Sequence, residues 1–409
     1  MTRPADPTRR GLLRGASSAA SASLLGAGLP RVAGAFERGR LSVWYDYNGG
    51  AGMRRVAQRF EQASGVGVTV EGPEDLPTRF RRAASAGKGP DVFAYAHDQV
   101  GEWTGGGLLR PVAPSVSALA DLNPMGLKAF TSGGRLWGYP LNIQAVHLVY
   151  NKALVSTPPT TWDEVFALDR ELVKQGRKAI LWDYSNGYFT WPLLAAHGGF
   201  TFEQGADGRF DATRCGIAHP GAVKGLELVA RLVREGLMPA GAGYADMEAA
   251  IVKGQVAMMI NGPWSWVKLR KAGIDVGAAR LPMLDGRRPV PMVGVTGVMI
   301  NRASPHRELA TEFIERHMLT LPGLRALNAD EPIGVPGSLA FYDELKADTK
   351  LATVMASAQD GLPMPSIPEM GKFFAALKTA IDNVTQGRQT PREALALAAQ
   401  RVAQRAAGK

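Results

Sequence analysis

Three short segments of this 409-residue chain set aromatic rings beside planar polar groups: Tyr95-Ala-His-Asp98, Trp182-Asp183-Tyr184-Ser-Asn186-Gly-Tyr188 and Asn261-Gly-Pro-Trp264-Ser-Trp266. That mixture suits a pyranose. The C–H faces of a sugar ring pack on aromatic faces, while its hydroxyls need acceptors and donors held in fixed geometry, which Asp, Asn and Gln supply. Each segment alone is a weak signal, because aromatic residues with such neighbours more often fill cores. Covalent chemistry leaves a different signature, and no GxSxG elbow, P-loop, GxGxxG turn or Cys/His pair occurs. Asp98, Asp183 and Asp246 are scattered carboxylates without a motif. A glycosidase pair stays open at this level, because carboxylate separation exists only in the fold. Cys215 is the sole cysteine and reads as a small apolar side chain, and the six histidines lack chelating spacing, so neither a metal nor a cofactor is expected.

Composition narrows the class further. With 45% hydrophobic and 21% charged residues the chain is globular, and its length exceeds what one core usually serves, which favours two lobes. No apolar run reaches the ~18 residues of a membrane span. Of the formal net charge of +10, +4 falls in the first 35 residues, where Arg3, Arg9, Arg10, Arg14 and Arg31 meet only Asp6. The rest is spread without a basic block that would follow a phosphate backbone, so no nucleic-acid partner is expected. Thr8-Arg-Arg-Gly-Leu-Leu-Arg14, then a weakly apolar run at 16–29, then Ala33-Gly-Ala35, is the order of a secretory signal of the twin-arginine type. Residues 1–35 are therefore expected to be removed, and no cysteine follows for a lipid anchor. The expected location is the periplasm of a Gram-negative bacterium.

The elements that must position the aromatic segments follow from periodicity. Residues 41–45 read as a strand, and Met53, Val56, Ala57 and Phe60 mark one face of a helix ending before Gly65. Strands at 66–70 and 91–96 flank a basic helix near 78–86. Such alternation predicts a largely parallel sheet covered by helices. Thr161-Trp-Asp-Glu164 reads as a capping box opening a helix with Val165, Leu168 and Leu172. Pro220 opens another, carrying Leu226, Val229, Ala230 and Val233, with Gly236 as its stop. Ser304 before Pro305 reads as the cap of a third, carrying Leu309 and Phe313, and 371–407 reads as two helices parted near Gly387 and Thr390-Pro391. With no fixed-period repeat, the expected fold class is α/β in two lobes.

The residues also match a family. Phe60-Glu61 through Val70-Glu71, Gly89-Pro-Asp91, Ala96-His-Asp98, Val149-Tyr-Asn-Lys152, Tyr188-Phe-Thr-Trp-Pro192, Ile260-Asn-Gly-Pro-Trp264-Ser-Trp266, Met364-Pro-Ser-Ile-Pro368 and Gly387-Arg-Gln-Thr390 stand in the order, and nearly the spacing, of the maltose/maltodextrin-binding proteins of bacterial ABC importers. The resemblance runs from about residue 40 to 405. It implies a periplasmic binding protein fold of two α/β lobes, 36–142 plus 298–343 and 143–297 plus 344–409, joined by three crossovers, the first near 142–144 and a second near 294–295. Sugar would lie in the cleft, the lobes would close by hinge motion, and membrane permease subunits would recognise the loaded form. It further implies a monomer without catalytic residues.

Carried over by position, the ring platforms are Tyr95, Tyr188, Trp264 and Phe374, and Asp98 is an acceptor for sugar hydroxyls. Other positions depart from the family. The turn Trp44-Tyr-Asp46-Tyr-Asn48-Gly-Gly-Ala is one residue short, so Asp46 or Asn48 either replaces the family's Asp-Lys pair or serves an ordinary turn. Gln144 and Asn186 stand where the family has glutamates, Gln99 and Lys378 where it has arginines, and Ala375 where it has a tyrosine. An amide donates as well as accepts, so hydrogen bonding survives at 144 and 186 while charge assistance is lost. Weaker affinity for maltose, or preference for another disaccharide such as trehalose or sucrose, is the expectation.

Overall fold

The computed structural model describes residues 36–37, 39–45, 50–205 and 210–406. The export signal expected at 1–35, together with Asp46 and Asn48, lies outside them. The chain opens as β1 (Arg40–Trp44), α1 (Gly50–Ser64), β2 (Gly67–Glu71), α2 (Leu76–Ser85) and β3 (Val92–Ala96). α1 buries Met53, Val56, Ala57 and Phe60, the face its spacing predicts. Side chains along β1 and β3 alternate between two cores. Leu41, Val43, Val92 and Ala94 meet Phe60 and Phe313, whereas Trp44 and Phe93 join Phe80 and Trp103 on the other face. There Phe80 stacks on Phe93 at 3.8 Å with Trp103 edge-on to Phe93 at 5.4 Å. A sheet apolar on both faces requires cover on both.

Further along come β4 (Tyr139–Gln144), β5 (His147–Asn151), β6 (Lys178–Ile180), β7 (Val256–Asn261), β8 (Val276–Ala279), β9 (Met292–Asn301), β10 (Val335–Pro336) and β11 (Leu362–Pro363). The first sheet has the order β10-β4-β9-β3-β1-β2, with β11 added to β9, and the second the order β8-β5-β7-β6. The expectation of a largely parallel sheet is corrected here. β1 is parallel to β2 and β3, but β9 runs antiparallel to both β3 and β4. In the second sheet only β6 and β7 are parallel. The reason is topological: β9 enters its sheet from the other lobe, so the βαβ crossover that enforces parallel pairing is absent there.

Two sheets with their helices make two lobes, and the chain passes between them three times. It leaves the first at Gln144 and enters the second at His147, returns between Ala279 and Met292, and crosses finally beyond β10. The helices follow as α3 (Trp162–Val173), α4 (Gly187–Ala195), α5 (Pro220–Arg234), α6 (Arg307–Phe313), α7 (Thr349–Asp360), α8 (Met370–Thr385) and α9 (Pro391–Ala406). α7 lies against strands of both sheets, and α8 and α9 pack together on α5. Two caps differ from expectation. Thr161 does cap α3, accepting from the Glu164 N–H at 3.3 Å, but the Glu164 carboxylate reaches the Thr160 N–H at 2.6 Å instead of closing the box on Thr161. Ser304 does not cap α6, which starts after His306; its hydroxyl donates to the buried Asp91 carboxylate at 2.5 Å and accepts from the His306 N–H at 3.1 Å, ahead of the first helical turn. Among the described residues no helix is long and apolar enough to cross a membrane.

Candidate functional site

β3 ends at Ala96 and the chain turns through one 3-10 turn, His97–Gln99, which brings Asp98 out beside β9. The Gln99 side-chain amide donates to Asp98 Oδ2 at 2.7 Å, while Oδ1 is buried with no hydrogen-bond partner among the described residues. Burial raises the Asp98 pKa above the usual carboxylate value, and the Gln99 side chain, then the Asp98 and Gln99 backbone N–H groups, oppose that rise. A buried acceptor left open costs stability, and a hydroxyl donor would relieve it. Asn142 on β4 is a second one: the residue is 6% exposed and its Oδ1 is likewise unpaired. Period-2 alternation puts Gln144 on the same face. Both line a cavity of about 610 Å³ with Tyr45, Tyr95, Thr296 and Trp264.

The facing wall comes from the second lobe. α4 starts at Asn186, whose side-chain oxygen accepts from the Tyr188 N–H at 3.1 Å and whose side chain also bonds Asp183. The Tyr188 hydroxyl accepts from the Gly294 N–H and lies close enough to Asp98 to feel its charge; burial first, and that charge second, push the phenol pKa up. Gly294 permits the approach, since a Cβ there would lie 3.3 Å from the Tyr188 hydroxyl. Trp264, in the turn Pro263–Ser265, has its ring 6.2 Å from Tyr188 and 6.3 Å from Phe189, and its side chain is bonded to the Tyr244 hydroxyl. Phe374 on α8 abuts the first turn of α4, where a Cβ on Gly187 would come within 3.0 Å of its ring.

The structure thus sorts the candidates. Tyr95, Gln144 and Trp264 share one cavity, and Asp98 and Tyr188 meet across the lobes. Phe374 sits at the α4 start. Asn186 is exposed and acts as a helix cap, and Lys378 is exposed and paired with Asp382 at 2.6 Å on its own helix. Trp182 and Tyr184 are core residues, fully buried and bonded to Thr190 and to the Pro239 carbonyl. Asp246 closes the start of the helix Tyr244–Val252 by accepting from the Gly243 N–H at 2.9 Å. Asn142 was missed as a site residue from sequence, although two amides at i and i+2 in an otherwise apolar strand are a usable signal.

A larger cavity, about 920 Å³, is lined by Trp191, Phe200, Phe202 and Met364 among others, but none of the buried unpaired polar atoms opens on it. The cavity of about 610 Å³ has a buried, unpaired acceptor of the kind that orients a hydroxylated ligand, Asn142 Oδ1, with Gln144 beside it. Among the described residues no group of three or more His, Cys, Asp or Glu could hold a metal ion. Burial pushes the half-buried Cys215 thiol up to about 11, away from nucleophilic use.

Two α/β lobes, three crossovers and a cavity lined by Tyr95, Trp264 and the unpaired Asn142 oxygen make the arrangement of a protein that captures a ligand between its lobes. The chain belongs to the bacterial extracellular solute-binding proteins, whose family model matches residues 31–315. It is similar to a galactooligosaccharide-binding protein of Bacillus subtilis, 28% identical over 375 residues that cover 88% of each chain. It is also similar to a maltotriose-binding protein of Pyrococcus abyssi, 27% identical over 78% of this chain and 71% of that one. A maltodextrin-binding protein of Bacillus subtilis is 26% identical over 83% of each chain.

Proposed function

We propose that this chain is the exported substrate-binding component of an ABC importer, which takes maltose- or maltodextrin-like α-glucosides in its cleft and delivers them to membrane permease subunits. The observation that carries this reading is the Asp98 carboxylate, one oxygen unpaired, set against the Tyr188 ring with Trp264 beside it. A pyranose packed on those rings turns its hydroxyl edge toward Asp98 and Asn142, which gain the donors they lack. Tyr95, Phe374, Gln144 and Asn186 are proposed to extend the surface, with Lys378 at its rim; Asp46 and Asn48, proposed as further contacts, lie outside the described residues. The lobes, 36–142 with 298–343 and 143–297 with 344–409, rotate about the crossovers, and the loaded monomer is what the permease reads.

Binding here needs no chemistry, and the chain works as a carrier in the periplasm after twin-arginine export. The relatives named for maltotriose and maltodextrin support the α-glucoside reading. The amide at Gln144, together with the relative named for galactooligosaccharides, favours a second: another oligosaccharide held by the same rings. Calorimetric titration of the mature chain with maltose, maltotriose, trehalose, sucrose and a galactooligosaccharide decides between them. Saturable heat with maltose or maltotriose is expected. Saturation by another of these sugars alone selects the second reading, and no heat with any sugar overturns both. Release of new reducing ends from maltotriose would replace the carrier with a glycosidase.

A further inference from the structure

His97 is fully buried at the foot of the cleft, one residue before Asp98, and both of its ring nitrogens are engaged. The Val295 N–H points at Nδ1 at 3.1 Å, and the Met364 carbonyl oxygen lies 2.8 Å from Nε2. An amide can only donate and a carbonyl can only accept, so the ring must be the neutral tautomer with its proton on Nε2. Its two partners belong to different passages between the lobes. Val295 lies on β9, paired with Ile143 of β4, just after the second crossover. Met364 follows β11 in the third, and its own N–H donates to the Val293 carbonyl at 3.1 Å. The imidazole is a rigid bar, donor at one end and acceptor at the other, joining the turn that carries Asp98 to two of the three strands about which the lobes move.

We infer that His97 is a positioning residue that couples hinge conformation to the placement of the Asp98 carboxylate. This inference rests on the sugar-carrier reading above. The crossover strands set where the His97 ring sits, the ring sets the His97–Gln99 turn, and the turn sets Asp98 against the Tyr188 hydroxyl, which is itself held by β9 through Gly294. Ligand on Asp98 and position of the hinge are then coupled through the two hydrogen bonds of the His97 ring and the short turn that follows it. Burial lowers the ring pKa to about 4, which keeps that single tautomer in place at neutral pH.

The test uses two substitutions and their combination with Asp98→Asn in the full mature chain. His97→Asn keeps an acceptor near Nδ1 and loses the reach to Met364, whereas His97→Gln reaches toward Met364 and loses the Val295 bond. Each is expected to weaken binding of the oligosaccharide that saturates the wild type by about tenfold, one hydrogen bond's worth. In the Asp98→Asn background the same substitutions should cost less than about twofold, because His97 acts through Asp98. Losses that add fully in both backgrounds would reduce His97 to a structural residue and overturn the coupling. A check without variants comes from 15N spectra of the His97 ring, assigned through its contact with the Val295 amide. Unprotonated Nδ1, shifting when sugar is added, is expected; a ring resonance indifferent to saturating sugar overturns the inference. Failure of the wild type to bind any sugar would instead sink the function reading.

Discussion

The two walls of the cleft differ in what they leave unsatisfied. On the first lobe, Asp98 and Asn142 each keep one buried oxygen without a partner among the described residues. On the second, the site's polar ends have partners, since Asn186 caps α4, the Tyr188 hydroxyl accepts from Gly294, Trp264 bonds Tyr244 and Lys378 pairs with Asp382, and the unpaired buried ring atoms among the described residues, His147 Nε2, Trp162 Nε1 and Trp266 Nε1, are nitrogens. One wall therefore offers unpaired acceptor oxygens, and the other offers mainly ring faces. Tyr95 is the ring on the acceptor wall. The division assigns selectivity among hydroxyl patterns mainly to the first lobe and packing affinity mainly to the second, since an unpaired buried acceptor discriminates more sharply than an apolar face.

The largest expected effect touches the floor both walls share. His97 and His147 are fully buried, one on each lobe, and burial lowers each from 6.5 to about 4. His97 faces Phe130, Val295 and Met364; His147 faces the Ala145 carbonyl and the Trp266 ring. The unfolded chain takes up these protons first, so their contribution is complete above pH 6.5 and is lost as pH falls toward 4. The loss is on the order of 3 kcal/mol per histidine. Urea unfolding at pH 7 and pH 4.5 measures it, and His97→Gln should remove about half of the two histidines' joint contribution, leaving that of His147. Equal stability at both pH values would show that the floor tolerates the charged rings.

Asp98→Asn sharpens the acceptor wall. Sugar affinity should fall by about 2–3 kcal/mol, while the ligand-free protein gains stability because a buried, partly unpaired carboxylate is removed. Paired calorimetric and thermal-unfolding measurements check both signs, and lost stability would mean Asp98 supports the fold instead. Trp264→Ala probes the ring wall, with about 1–3 kcal/mol of affinity lost and the fold retained. Unchanged affinity would move Trp264 to a packing role. Asn186→Ala should cost about 1 kcal/mol of stability through the lost cap, with little change in sugar affinity. The smallest effect is Lys378→Ala, within about 0.5 kcal/mol in either measurement, because its ion pair is solvent-screened.

Much of the architecture was readable from periodicity and punctuation. The stripe of α1, the helix opened by Pro220 and the break between α8 and α9 follow from local spacing and end signals alone. The antiparallel placement of β9 was not, because it depends on which lobe the chain arrives from. The aromatic residues of the site were legible as types, yet Trp182 and Trp264 look alike in sequence, and only tertiary packing buries the first and leaves the second on the cavity. Asn186 and Lys378 carried the right chemistry for ligand contact, but a vacant helix end and a carboxylate four residues away are nearer partners. Asn142 escaped notice because its role arises from what does not reach it.

The most direct test is small-angle scattering of the mature chain alone and with the oligosaccharide that saturates it. A fall in the radius of gyration at saturation is expected, because sugar bridging the acceptor wall and the ring wall favours the closed arrangement. Superimposable curves at a concentration where calorimetry shows full occupancy would contradict a cleft that binds by closing.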